Sequence, residues 1–188
     1  VKVCGLTRYQ DVQASFAAGA DVAGFIFVEK SPRCTTERLL RECRQIPLLK
    51  VVVVQNPDRG MIKKLRCWLR TGLIHAVQFH GAEPAELIYS FHGHAYKATT
   101  DTLLNILPVT LYDAEKTVSM RKGKTLSRQV FARIHGQWLA GGLTPQNVRA
   151  MMRAISPGLL DVNSGIEKAP GIKDAAKLKQ FMKEVLYV

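Results

Sequence analysis

The sequence predicts an α/β fold in which eight parallel strands alternate with helices and close into a (β/α)8 barrel, the TIM barrel. Eight short apolar stretches rich in Val, Ile and Phe are separated by longer amphipathic stretches. The short stretches are mostly apolar rather than alternating, which is typical of parallel strands covered on both faces. A closed barrel is the simplest arrangement for this number of units, and an open doubly wound sheet is the alternative.

The predicted elements follow one another along the whole chain. The strands cover residues 1–4, 22–28, 48–54, 76–79, 95–98, 108–112, 138–140 and 159–162. Apolar residues recur at helical spacing in 8–18, 35–43 and 57–69, and a helix over 173–185 closes the chain. Thr144 followed by Pro145 predicts another helix start. The buried stripe of that helix is Val148, Met151, Met152 and Ile155.

The chain is short for this fold. It has 188 residues, whereas such barrels usually need about 250 and rarely fewer than about 200. Residues 81–112 must hold two helices and two strands, so the helices near 83–91 and 100–106 are predicted to be abbreviated. The length and the single alternating pattern predict one domain over residues 1–188.

Composition excludes several classes of protein. The content of 47% hydrophobic and 22% charged residues is typical of a globular chain. The longest uncharged apolar run, residues 22–28, is far shorter than the about 20 residues of a membrane-spanning helix. The four cysteines match no metal or redox spacing and are sparse for a disulfide framework. With no export signal at the start of the sequence, a cytoplasmic location without membrane partners is expected.

The net charge of +12 gives the surface a positive potential. Such a potential attracts nucleic acid, anionic lipid or a small anion. Lysine and arginine are scattered through the chain and aromatics make up only 7%, so the stacking surface of a nucleic-acid binder is not evident. We therefore expect no nucleic-acid partner, and a non-catalytic basic domain that binds nucleic acid is kept as an alternative.

Reactive side chains follow several predicted strands at their carboxyl ends, where parallel barrels carry their active sites. Cys4 ends the first strand and is either a catalytic thiol or core packing. Arg33, behind Pro32, either clamps a carboxylate or is solvated. Asp113 follows the sixth strand and either acts at the mouth of the barrel or caps the next helix.

Two glycine-bearing loops follow the last two strands. Gly141 and Gly142 come after the seventh strand, and Ser164 and Gly165 come after the eighth. Glycines let backbone N–H groups wrap an anion, and barrels commonly hold phosphate at this corner. The loops predict a phosphorylated substrate, and ordinary tight turns are the alternative.

Motifs along nearly the whole chain are similar to those of one enzyme family. They are residues 2–8, 18–21, 24–27, 31–33, 77–81, 139–147 and 161–171, with Lys173 and Asp174. In this order and spacing the sequence resembles the phosphoribosylanthranilate isomerases of tryptophan biosynthesis. The resemblance implies a (β/α)8 isomerase without cofactor or metal. It would convert N-(5-phosphoribosyl)anthranilate to 1-(2-carboxyphenylamino)-1-deoxyribulose 5-phosphate by an Amadori rearrangement.

The resemblance also implies roles for individual residues. Asp113 is the general acid for the ribose ring oxygen, and Cys4 is the general base for the C2 proton. Arg33 pairs with the anthranilate carboxylate. The other substrate-binding residues are Gln78 and His80 at the aromatic end, with Gly141, Gly142, Asp161, Ser164 and Gly165. The substrate is a small phosphorylated anion, and we expect the enzyme to act as a monomer.

Some features remain open on the sequence alone. Another phosphosugar isomerase or epimerase on the same barrel is the alternative within enzymes, although the related isomerases of histidine biosynthesis carry aspartate where Cys4 stands. His80 is alternatively a hydrogen-bonded core histidine. The family's glycine-rich loop after the sixth strand corresponds to residues 120–128, where only Gly123, Lys124 and Thr125 are kept. Fewer glycines restrict such a loop, so rate and specificity are expected to differ.

Overall fold

Eight short strands pair side by side in parallel and close on themselves in a computed structural model, which describes residues 1–100, 110–113 and 136–186. The strands are β1 (Lys2–Val3), β2 (Val22–Ile26), β3 (Leu49–Val54), β4 (Ala76–Phe79), β5 (Ala95–Thr99), β6 (Thr110–Asp113), β7 (Trp138–Ala140) and β8 (Leu159–Val162). The last strand pairs with the first, with Lys2 opposite Asp161. The predicted (β/α)8 barrel is confirmed, and the open sheet is excluded.

Helices lie between the strands. They are α1 (Tyr9–Ala17), α2 (Glu37–Glu42), α3 (Arg59–Arg70), α4 (Ala85–Tyr89), α5 (Val148–Ile155) and α6 (Ala175–Leu186). Helix α3 starts at Asp58, whose carboxylate accepts the N–H of Met61 at 2.7 Å. Helix α4 has only five residues, in agreement with the expected abbreviation. The other short helix, predicted at 100–106, and the altered loop at 120–128 fall on residues outside the described ranges, apart from Thr100.

Two local features differ from the sequence prediction. Helix α5 begins at Val148 rather than at Thr144 and Pro145. The side chain of Asn147 accepts the N–H of Thr144 at 2.8 Å and donates to the carbonyl of Gly142 at 2.8 Å, so a turn precedes the helix. After β8 the chain forms a short 3-10 helix (Ser164–Ile166) and an unpredicted antiparallel pair, β9 (Glu167–Ala169) and β10 (Ile172–Lys173).

The buried apolar residues form two clusters on opposite sides of the strands. The larger cluster lies between the strands and the helices and includes Phe25, Phe79 and Phe181. The smaller cluster includes Val22, Val51, Tyr96, Ala98, Leu111 and Ala140. Side chains alternate along a strand, so residues two positions apart share a face. On this basis the smaller cluster is the apolar lining of the barrel interior, which it shares with polar side chains described below.

None of the helices in the described ranges has the length and apolar character needed to cross a membrane. All four cysteines are free; Cys4 and Cys43 are buried, and Cys34 and Cys67 are exposed.

Candidate active site

A cavity at the carboxyl ends of the strands brings most of the predicted site residues together. Eight of the ten predicted residues line it: Cys4, Gln78, His80, Asp113, Gly141, Gly142, Asp161 and Ser164. Gly165 lies directly behind the glycine loop, and Arg33 lies outside the lining of this cavity. These residues come from strands β1, β4, β6, β7 and β8 or from the loops that follow them. The expectation that a parallel barrel carries its site at the carboxyl ends of its strands therefore located this cavity.

Cys4 follows β1 and lies deep in this cavity. Its N–H donates to the carbonyl of Val162 at 2.9 Å, and the residue is only 5% exposed. Space for the thiol comes from Gly24 on β2, where an added Cβ would lie 2.7 Å from the Cys4 Sγ. Burial raises the pKa of the thiol above its ordinary value, although the positive charge of Lys2 partly offsets the rise. The thiol is therefore protonated in the ligand-free protein at neutral pH.

Asp113 ends β6 and faces His80, which follows β4. Nε2 of His80 lies 3.2 Å from Oδ2 of Asp113, and the Asp113 side chain is 11% exposed. Nδ1 of His80 lies 3.4 Å from Nε2 of Gln78. Asp113 is therefore a nearly buried carboxyl group beside the imidazole of His80 at the edge of the cavity.

Asp161 on β8 projects into the barrel and is paired with a buried cation. Nζ of Lys2 donates to Oδ2 of Asp161 at 2.6 Å. Lys2 is fully buried; burial alone would lower its pKa, but the charge and hydrogen bond of Asp161, with Cys4 and Tyr96, together outweigh burial, and the pKa is raised well above its ordinary value. The other carboxylate oxygen of Asp161, Oδ1, is buried and makes no hydrogen bond to any described residue, and Asp161 lines the cavity. It is available to a hydroxyl group of a bound ligand.

Arg33 is held beside the cavity by Glu167. Its Nε and Nη2 atoms donate to both carboxylate oxygens of Glu167 at 2.7 to 3.1 Å. Glu167 also accepts from Nζ of Lys173 at 3.0 Å and from the N–H of Gly171 at 3.1 Å. Burial alone would raise the pKa of Glu167, but its bonds to Arg33 and Lys173 lower it. Since the pair is bidentate, the guanidinium plane is fixed in one orientation.

The two glycine loops meet at the mouth of the barrel, where Gly141 directly follows Ala140, the residue paired with Asp113. Gly141 and Gly142 have positive φ angles of 89° and 64°, which residues with a Cβ rarely adopt. An added Cβ on Gly165 would lie 1.9 Å from the carbonyl oxygen of Leu143, so only glycine permits this approach of the two loops. Successive N–H groups in such turns form a concave surface suited to an anion.

Several residues that shape the site were not singled out from the sequence. Lys2 and Tyr96 contact Gln78, and Glu167 contacts Arg33. Lys173 contacts Glu167 and Asn163 beside them. Only Lys2 carried a usable signal, because it lies two positions before Cys4 and must share its face of β1. Glu167 and Lys173 lie in the unpredicted β9–β10 pair, and nothing in their spacing indicates that they contact Arg33 or each other.

Comparison with known proteins gives one consistent match. The family described as N-(5'-phosphoribosyl)anthranilate (PRA) isomerase matches residues 1–184. An N-(5'-phosphoribosyl)anthranilate isomerase of Thiobacillus denitrificans is 35% identical over 204 residues, covering 98% of this chain and 96% of the relative. That of Caulobacter sp. (strain K31) is 31% identical over 209 residues, covering 98% of this chain and 97% of the relative.

Solved structures of phosphoribosyl anthranilate isomerases also superpose on this chain. A phosphoribosyl anthranilate isomerase in complex with reduced 1-(o-carboxyphenylamino)-1-deoxyribulose 5-phosphate superposes with a TM-score of 0.82 at 29% identity, covering 100% of this chain and 98% of that chain. Monomers derived from the dimeric isomerase of Thermotoga maritima give a TM-score of 0.80 at 28% identity, covering 100% and 98% of the two chains.

Proposed function

Since the chain belongs to the N-(5'-phosphoribosyl)anthranilate isomerase family, we propose that Cys4 and Asp113 are the base and the acid of its reaction. The enzyme acts in tryptophan biosynthesis and carries out the Amadori rearrangement of N-(5-phosphoribosyl)anthranilate to 1-(2-carboxyphenylamino)-1-deoxyribulose 5-phosphate. The observation that carries the proposed roles is that Cys4 and Asp113 line one cavity together with the glycine loops.

Asp113 supplies the first proton. In its protonated form it donates to the ribose ring oxygen; the C1–O bond breaks, and the nitrogen lone pair forms the C1=N bond of a Schiff base. His80, 3.2 Å from Asp113, then donates a hydrogen bond to the carboxylate that remains. A well-placed proton transfer of this kind contributes about 10² to 10⁴ in rate.

Cys4 removes the second proton. Its thiolate takes the C2 proton of the Schiff base, the C2–H electrons form the C1=C2 bond, and the C1=N electrons return to nitrogen. The resulting enolamine tautomerises to the ketone. The raised pKa of the buried thiol makes the thiolate scarce at neutral pH, so the positive charges of Lys2 and Lys173 near the cavity are needed to offset burial. The base is therefore strong once formed, because its pKa is high.

The remaining residues bind the two ends of the substrate. The N–H groups of Gly142, Ser164 and Gly165 hold the phosphate, with Gly141 shaping the turn, and Oδ1 of Asp161 accepts a hydrogen bond from a ribose hydroxyl. Arg33 pairs with the anthranilate carboxylate, and Gln78 and His80 line the aromatic end. Phosphate and carboxylate make the substrate an anion, which a chain with a net charge of +12 attracts.

The enzyme acts as a monomer in the cytoplasm under this proposal. All of the proposed site residues come from one chain, so no second copy is needed to complete the cavity. Free exposed thiols at Cys34 and Cys67 are typical of a reducing compartment. Sedimentation at micromolar concentration tests the oligomeric state, and a stable dimer like that of the Thermotoga maritima relative would contradict the monomer.

The experiment for the catalytic roles compares Cys4→Ser and Asp113→Asn with the wild type. Each substitution is expected to reduce kcat by at least about 10² while leaving KM nearly unchanged, because each removes a proton-transfer group. Matched controls are Cys67→Ser, at an exposed cysteine, and Asp58→Asn, where asparagine caps a helix as well as aspartate. Full turnover in either site variant would rule out the role of that residue. Growth of a tryptophan-requiring strain that lacks this isomerase would test the whole activity in cells.

A further inference from the structure

A chain of hydrogen bonds crosses the barrel interior from β8 to β6, and all of its members except Lys2 line the cavity. It links Asp161, Lys2, Gln78, His80 and Asp113 in that order; we call these five residues the interior chain. Lys2 donates to Oδ2 of Asp161 at 2.6 Å and also to Oε1 of Gln78. The chain thus connects the carboxylate proposed to hold the ribose with the proposed general acid.

The orientation of the Gln78 amide is fixed by what surrounds it. The ammonium group of Lys2 carries only donors, so the group that it contacts must be an oxygen. The hydroxyl of Tyr96 also donates to Oε1 of Gln78, at 2.9 Å. Burial raises the pKa of Tyr96, so its phenol remains protonated and remains a donor. With two donors on Oε1, the NH₂ group of Gln78 must point to the other side, where His80 lies.

The hydrogen position on His80 follows from the orientation of Gln78. Nε2 of Gln78 donates, so Nδ1 of His80, 3.4 Å away, must accept and must carry no proton. The imidazole proton is then on Nε2, which lies 3.2 Å from Oδ2 of Asp113 and donates to it. A second proton on His80 would place two N–H groups against each other, so the amide opposes the imidazolium form.

We propose that Lys2 is a positioning residue for the isomerisation, which fixes His80, through Gln78, as the neutral tautomer with its hydrogen on Nε2. The catalytic consequence rests on the proposed role of Asp113. A neutral donor holds the Asp113 carboxyl group in one orientation and stabilises the carboxylate that forms when its proton passes to the sugar. An imidazolium would instead pair with an already ionised Asp113, which has no proton to give.

Other charged groups lie close to His80 and Asp113 and act on the same pair of residues. Glu83 and Lys97 share a second cavity with them, but these two form an ion pair of 2.5 Å with each other. Cys4 and Asp161 line the main cavity together with His80 and Asp113. The positive charges of Lys2 and Lys173 interact with both Cys4 and Asp161. Only Gln78 contacts Nδ1 of His80 among the described residues, so a substitution at Gln78 is the direct test.

The test reads the tautomer from the ring nitrogen shifts of ¹⁵N-labelled His80 in the ligand-free protein. The wild type is expected to show a neutral ring with the hydrogen on Nε2 at neutral pH. In Gln78→Glu, a carboxylate accepts from Nδ1–H, so the hydrogen on Nδ1 that the amide excludes should appear in the ring nitrogen shifts. Gln13→Glu, at an exposed position of α1, adds the same charge without contact and should leave His80 unchanged.

A second pair of variants tests Lys2 itself. Asp161→Asn is compared with Lys2→Met/Asp161→Asn, so that no buried carboxylate is left without its cation. Removing Lys2 frees the amide to turn over, and His80 should then show a substantial fraction of the Nδ1–H tautomer that is absent in Asp161→Asn. If the double variant does not fold by circular dichroism, Gln78→Glu decides alone.

A wild-type His80 with its hydrogen on Nδ1, or a wild-type ring that is doubly protonated at neutral pH, would overturn the proposal. An unchanged His80 in Gln78→Glu would do the same. These measurements use no substrate, so they stand whether or not Asp113 is the acid. The kinetic counterpart is a fall of kcat by about tenfold in Gln78→Glu with a smaller change in KM. Full turnover in Asp113→Asn, together with the expected tautomer of His80, would rule out Asp113 as the general acid. It would leave the positioning of His80 by Lys2 and Gln78 intact.

Discussion

Replacing Gly24 with alanine should misplace the Cys4 thiol without removing any group that the chemistry uses. Gly24 lies in β2, one position beyond Ala23, which is paired with Val3 at the end of β1. An added Cβ would lie 2.7 Å from Sγ of Cys4, 2.9 Å from its Cα and 3.0 Å from Cε of Lys2. Because one of these neighbours is backbone, the thiol cannot escape the contact by rotation of its side chain alone.

The size of the effect follows from these distances. Nonbonded carbon atoms pack best at about 3.5 to 4.0 Å, so Sγ or the strand must move by about 1 Å. A shift of about 1 Å in a catalytic group costs about 10² in rate. We therefore expect kcat of Gly24→Ala to fall by about 10² with little change in KM, and the free energy of unfolding to fall by about 1 to 3 kcal/mol from overpacking.

The assay measures turnover of phosphoribosylanthranilate and urea unfolding in the same preparations. The matched control is Gly60→Ala in α3, where the nearest atom to the new Cβ is 3.4 Å away and alanine favours the helix. This control should keep wild-type kcat and be equally or more stable. Wild-type turnover in Gly24→Ala, at whatever stability, would refute the reasoning that the position of the thiol limits the rate.

Three further outcomes are expected. Burial raises the pKa of Cys4 and only its thiolate acts as base, so kcat/KM should still be rising with pH above about 8.5, the value for an ordinary thiol; a profile flat from neutral pH upward would contradict this. Glu167→Gln should lower the free energy of unfolding by about 3 kcal/mol and raise KM, because Arg33 loses its ionic partner; unchanged urea unfolding would argue against it. In the wild type, burial alone would raise the pKa of Glu167 but the bonds from Arg33 and Lys173 lower it, so this contribution should be present above about pH 4.3 and be lost as the pH falls further. Gly165→Ala should weaken competitive inhibition by inorganic phosphate about tenfold, since the clash with Leu143 opens the loops and removes a hydrogen bond; equal inhibition constants would show that the loops do not bind phosphate.

The strands could be predicted closely because parallel strands buried on both faces leave a simple signal. The apolar run over 22–28 contains β2 (Val22–Ile26), and that over 159–162 coincides with β8. Helix starts were less predictable. Thr144 and Pro145 carry the usual signals, but the side chain of Asn147 closes a turn first and the helix begins only after it.

The candidate site was predictable only where residue type and strand end coincide, as at Cys4 and Asp113. The supporting groups were not predictable in this way. Lys2 and Asp161 are 159 positions apart and contact each other only because the barrel closes. Arg33 and Glu167 are 134 positions apart and meet through a hairpin that has no sequence signature. Local patterns carry no information on contacts that depend on closure.

Pairing of β8 with β1 has a consequence for how the enzyme comes into being. The thiol lies at the start of the chain, whereas Asp161 and the second glycine loop belong to its last quarter. While the ribosome is still adding residues, the emerging polypeptide can assemble seven strands yet holds no complete pocket. Activity should therefore switch on abruptly, once residues beyond 165 have left the exit tunnel, and prematurely terminated products should be inert, however much of the barrel they have built.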